Sequence, residues 1–232
     1  MNIMKYISKD VIRGFTKECK ILMNDLGFKG AQLPLDIRDV AERLELKIVD
    51  NETVREQNKH AILENGTIKL NPADDENQKR FSIAHEIAHI IAKDSLDVKV
   101  ESNNGPAVVV MTYNLINRDL KNVARGIGNT KKFDEATAGN LDLAKDIYEE
   151  VIDYFAAVIL VPAVCFCDEI MKEASEDEMS EIFGVKPSCI AKRKEELFYE
   201  LEAYDDNMPS MYSGSGEAAA WEDVQAIIES WK

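Results

Sequence analysis

Histidine is scarce in this chain, with three among 232 residues. Cysteine is nearly as rare: Cys19, Cys165, Cys167 and Cys189 are the four. None is in a C-x-x-C pair, so Cys165 and Cys167 read as small buried helix residues rather than a metal or redox site. Four thiols behind no secretory signal read as reduced, which predicts a cytoplasmic protein. Positive charge is short as well: Lys plus Arg is 28 against 43 Asp plus Glu, a net charge of −15. That balance argues against gripping a phosphate backbone or an anionic membrane surface, both of which need cations. Long apolar runs are missing. The longest, Tyr154–Phe166, falls short of the roughly 20 residues that span a bilayer, and Pro162 interrupts it. The opening MNIMKYISKDVIRGF scatters its charges and has no signal-like apolar stretch. Internal repeats are absent.

What remains is the composition of a globular protein, 45% apolar and 31% charged. Apolar residues three to four apart predict a helix over 5–27, and Pro34 opens a second with Ile37, Val40, Ala41 and Leu44 on one face. Leu46–Val49 alternates as a short strand, and 61–63 and 67–70 form a hairpin about Glu64-Asn65-Gly66. An acidic lead-in at 74–77 suits the N-terminus of a helix over 78–92. Residues 94–147 give little pattern beyond a β-like 108–111. Helices follow at 142–161, 163–174, 176–183 and 190–204. The predicted class is α+β: a helical bundle with a small antiparallel sheet and a metal between two helices.

Two of the three histidines occur in His85-Glu86-Ile87-Ala88-His89, an H-E-x-x-H pattern. On a helix, residues i and i+4 share a face, so both imidazoles reach one ion and Glu86 stands beside it as a proton acceptor. Such a site needs a third ligand. Residue 95 is Ser95 and His60 lies upstream, so the ligand is expected to be a carboxylate. Glu149 and Glu150 lead the candidates, ahead of Asp94, Glu101, Glu135 and Asp153. Tyr113, Tyr148 and Tyr154 are candidates for stabilising an oxyanion.

The run RFSIAHEIAHII, the preceding strand ending Leu70-Asn71, and Leu33–Ile37 leading into Ala41–Leu44 resemble the ImmA/IrrE family of zinc-dependent metallopeptidases, gluzincin-like zincins. Glu149–Pro162 is similar to the family's later signature, and Glu181–Arg193 to its helix-turn-helix-like segment. Ile152 and Val161 depart from the family's usual Ala and Met. The resemblance implies a metallopeptidase core at 31–162 between an N-terminal helix (1–30) and a helix-turn-helix-like subdomain (163–204). It implies Zn²⁺ held by His85, His89 and Glu149, Glu86 as catalytic base, and cleavage of a repressor or similar regulator. Alignment of Phe155-Ala156-Ala157 puts the ligand at Glu149. So does the apolar stripe Ile152, Ala156 and Leu160 on its face, where a buried carboxylate would need a partner. With only Lys186, Lys192, Arg193 and Lys194 clustered in the helix-turn-helix-like segment, direct nucleic-acid binding is disfavoured. The competing reading is a non-catalytic metal-binding or protein-interaction module on the same fold.

Residues 205–216 read as a flexible linker and 217–232 as an amphipathic tail helix carrying both tryptophans. Trp221, Val224, Ile228 and Trp231 form one stripe. A helix this short is marginal alone in water. The stripe is therefore expected to dock, on its own catalytic domain or on another protein. An appended peptide is the alternative, since Ser-Gly repeats also serve as joining sequences. Blue-shifted tryptophan emission from the intact protein, alone or with its partner, is the expected result; fully solvated emission in both cases excludes docking.

Overall fold

The computed structural model describes residues 4, 7–28, 32–101, 108–114, 119–126 and 141–203. The expected linker, the tail helix and Glu135 lie outside the described residues. In chain order the elements are α1 (Lys9–Asp25), α2 (Ile37–Arg43), β1 (Lys47–Asp50), α3 (Glu52–Glu56), β2 (Ala61–Glu64), β3 (Thr67–Leu70) and α4 (Glu76–Ala92). Then come β4 (Leu96–Glu101), β5 (Val108–Tyr113), α5 (Leu120–Gly126), α6 (Leu141–Leu160), α7 (Ala163–Met171), α8 (Glu176–Phe183) and α9 (Pro187–Ala203). The class is α+β, as expected.

Local chemistry fixes the helix starts. Asp75 accepts the Gln78 N–H at 2.8 Å, so α4 begins at Glu76 rather than Gln78. Asp36 caps α2 in the same way, and that helix starts at Ile37 instead of Pro34. Pro187 occupies the first turn of α9, where a missing N–H costs nothing, so α9 begins ahead of the expected Ile190. A reciprocal Ser175–Glu178 cap opens α8.

The β2–β3 hairpin turns through Asn65 and Gly66, at φ of 50° and 72°, the left-handed pair that a two-residue turn requires. β1 then joins the other side of β3 in parallel, with Ile48 opposite Ile68. The three-stranded sheet is thus mixed, in the order β1-β3-β2, and only β4–β5 forms a wholly antiparallel sheet of its own. Three elements escape the sequence reading: α3, α5 and β4.

Helix α4 runs through the core, with Ile83, Ala84, Ile87, Ala88, Ile90 and Ile91 all at 0% exposure. α6 packs along it. α1 closes one side, where Phe15 stacks on Phe155 of α6 with ring centroids 3.5 Å apart. The α8–α9 turn is stapled to the first turns of α4. Arg80 donates from Nε to the Gly184 carbonyl at 2.9 Å and from Nη2 to the Leu35 carbonyl at 2.9 Å, while Lys186 reaches Gln78 at 3.0 Å. Gly184 is required there: its φ is +62°, and an added Cβ would meet the Arg80 guanidinium at 2.8 Å. No single helix among the described residues is long and apolar enough to cross a membrane; α6 and α7 would pass only together, and they bend by 61° at Pro162.

A polar cluster lies inside the core. Arg193 is fully buried, donates from Nε to the Val161 carbonyl at 3.1 Å and pairs with Glu200, which also accepts from the Tyr154 hydroxyl at 3.2 Å. Glu196 is buried beside them, with neither carboxyl oxygen hydrogen-bonded among the described residues. Burial pushes its carboxyl up to about 7, against the pull of Arg193 and Lys192. A folded-state value above the ordinary 4.5 means that stability from this group is complete below about 4.5 and is lost as pH rises toward about 7. Glu196→Gln removes the titration. Its Tm relative to wild type is therefore expected to rise between pH 4.5 and pH 8 (about one unit beyond the folded-state value), as read by circular dichroism. A constant difference would contradict this account.

Candidate metal centre

The pattern around His85 gives α4 two faces. The isoleucines turn into the core, and His85 and His89, with side chains 21% and 22% exposed, turn toward α6 and a cleft of about 1390 Å³. From α6, Glu149 reaches across. Its Oε2 lies 3.3 Å from Nε2 of His85 and 3.3 Å from Nε2 of His89, and the two Nε2 atoms are 3.1 Å apart. A tetrahedral ion bound at about 2.0–2.1 Å has ligand atoms about 3.3 Å from one another. The triangle is therefore nearly the right size already, and its donors, two imidazoles and one carboxylate, are those that bind divalent metals.

The ring orientations have causes. Nδ1 of His85 donates to Oδ1 of Asp153 at 2.8 Å, which fixes the tautomer and leaves the Nε2 lone pair for a cation. The Tyr148 hydroxyl lies 3.5 Å from Nδ1 of His89. Burial works against a charged His85, but Asp153 and Glu149 outweigh it and lift its value to about 10. Burial also opposes ionised Glu149, and the two histidines overcome it, bringing the carboxyl down to about 2. The site is thus a cation-holding cluster: the carboxylates keep positive charge in place even when that charge is only a proton.

Glu86 is 8% exposed and lines the cleft next to this triangle. The structure brings His85, His89 and Glu149 together, but the setting of Glu149 differs from the expected one. Ile152, Ala156 and Leu160 below it are at 0% exposure, whereas Glu149 itself, at the mouth, has 48% of its side chain exposed. Glu150 turns to Lys192 at 3.4 Å. Asp153, considered as a ligand, instead sits behind His85. Asp94 lines the far end of the cleft, the side chain of Glu101 and all of Glu135 are outside the description, and His60 is held by Asp74 at 2.8 Å away from the other two histidines. Of the three tyrosines, Tyr148 alone is at the site. Tyr113 donates to Glu18 at 2.5 Å and Tyr154 to Glu200. The one signal for Asp153 in the sequence was its place four residues after Glu149, on the same face of a helix.

These positions set a ranking for metal affinity. Glu149→Gln should weaken zinc binding at least tenfold, Asp153→Asn about tenfold through the orientation of His85, and Glu150→Gln hardly at all. Competition against a chromophoric chelator measures all three, and a larger loss for Glu150→Gln than for Glu149→Gln would reverse the assignment.

Residues 34–108 match the family model Peptidase_M78, described as the IrrE N-terminal-like domain. The matched stretch runs from before α2 to the start of β5 and contains α4 with His85, Glu86 and His89, while Glu149 lies beyond it. No curated protein matches the chain, and no solved structure does. The match bears out the resemblance read from the sequence: residues 34–108 carry an IrrE N-terminal-like domain of the Peptidase_M78 type.

Proposed function

We propose that this protein is a zinc-dependent endopeptidase. The observation that carries the reading is the position of the metal-type triangle part-way along a cleft whose lining extends to either side of it. Cleft-lining residues run along α4 from Gln78 through His85 and His89 to its C-cap, Lys93. At 1.5 Å per residue that is about 22 Å, with about 10 Å before His85 and about 6 Å after His89. An extended chain at about 3.3 Å per residue would place two or three residues on each side, as cutting within a chain demands. One wall is β2, an edge strand of its sheet among the described residues, and such an edge suits pairing with an extended substrate.

Zinc, when bound, would supply Lewis acidity, lowering the pKa of a water and polarising the scissile carbonyl. The protein's own groups do the rest. His85 and His89 present Nε2, with Asp153 holding His85 in register. Glu86 takes the proton from the attacking water and passes it to the departing amine. Tyr148, at Nδ1 of His89, stands behind that ring as Asp153 stands behind His85, and so orients the second imidazole.

A regulatory protein of repressor type is the substrate that family likeness favours. Direct nucleic-acid binding finds no support in the α8–α9 segment. Lys186, Lys192 and Lys194 pair with Asp75, Glu150 and Glu176, and Arg193 is buried. The free state of all four cysteines suits a cytoplasmic setting.

Glu86→Gln should retain zinc and lose cleavage by at least about 100-fold, because Glu86 moves a proton without holding the ion. His85→Ala should lose both. Metal content by mass spectrometry and cleavage of a proteome-derived peptide library check the pair, and wild-type rates from Glu86→Gln would refute the mechanism.

A further inference from the structure

The cleft is electrically uneven. Around and beyond the triangle its lining is acidic, with Glu86, Glu149, Asp153, Asp94 and Asp97 against Lys93. At the opposite end it presents Lys59 and His60, with Gln57 and Thr53 beside them. That end is fixed to the start of α4, because His60 pairs through Nδ1 with Asp74, just ahead of the helix cap. Its backbone is held as well: Asn71 donates from its backbone N–H to the His60 carbonyl at 2.9 Å and from Nδ2 to the Lys59 carbonyl at 3.1 Å. Asp74 is mostly buried and its charge faces His60, and the nearby Lys69 is paired with Glu64. Lys59 is exposed, and its ammonium has no ion-pair partner among the described residues.

We propose that Lys59 and His60 form a specificity subsite that takes an acidic side chain of the bound chain, about three residues from the scissile bond. The spacing follows from the roughly 10 Å of α4 between Gln78 and His85 and from about 3.3 Å per extended residue. The need follows from charge. A protein at −15 repels acidic segments, and a cation at one end of the cleft gives one of them a local, register-setting contact. The subsite rests on the peptidase reading for its substrate but not for its test.

The test uses the zinc-loaded full chain carrying Glu86→Gln and a capped Thr/Val peptide of about seven residues, long enough to cross the cleft, with Glu at both ends. Its counterpart has Gln in those places. Fluorescence anisotropy at low salt should show the Glu peptide binding about fivefold more tightly, the scale of one partly exposed ion pair. Adding Lys59→Met should erase the preference, Lys59→Glu should invert it, and salt should weaken it. Equal binding of the two peptides, no binding of either, or a preference that survives Lys59→Glu overturns the subsite. A Lys59-dependent preference alongside a wild type that cuts no peptide in the library would uphold the subsite and sink the peptidase reading. Cleavage without any acidic preference would do the opposite.

Discussion

Helices α4 and α6 make the most extensive helix–helix contact among the described elements, and the closeness of that contact governs the site. The three ligand-type atoms come from two separate helices, yet they meet at 3.1–3.3 Å. A shift of one helix along the other by a fraction of a turn would take Glu149 out of reach. What prevents it is the dry side of the same contact, where Ile83 and Ile87 of α4 and Ile152, Phe155 and Ala156 of α6 are fully enclosed. Close-packed interiors resist sliding because every displacement opens a void on one side and a clash on the other. Phe15 pressing on Phe155 carries this constraint out to α1, and the Arg80 contacts carry it to the α8–α9 turn.

Much of this was legible from local signals. The H-E-x-x-H helix combined an acidic cap, a helical period and no breaker, and it formed within two residues of its expected start. Glu149 was legible from the stripe Ile152, Ala156, Leu160, although the stripe is buried and Glu149 stands at its open end. The features that were missed depend on contacts through space. Nothing next to Asp153 in sequence says that His85 will arrive at 2.8 Å. The parallel joining of β1 to β3 was invisible because strand alternation has no direction. β4 is a different case: Leu96-Asp97-Val98-Lys99-Val100-Glu101 alternates cleanly, but its partner β5 begins seven residues later, beyond the range of a tight-turn signal. α3 is five residues long and depends on its Asn51 cap.

The scarce positive charge of the chain is spent largely on itself. Arg193 is enclosed with Glu200, Arg80 holds carbonyls from two other segments, and several lysines join helices to one another. Carboxylates dominate what is left facing the cleft. Their field explains why the cluster at the triangle holds a proton on His85 well above the ordinary range.

Among the described residues the mixed sheet has two edges with different surroundings. The β2 edge forms a cleft wall, with α4 and α3 residues lining the same space, so access is limited to chains that can enter. The β1 edge faces outward and carries Val49 at 42% exposure. Unprotected strand edges invite stray chains to add on and start an aggregate. Here the exposed strand is only four residues long, with Lys47 at one end and Asp50 at the other, Asp50 also tied to Lys79 at 3.0 Å. A passing strand would find few backbone groups to pair with and a charge at either end, so the outward edge is guarded against stray pairing by its shortness and its charges.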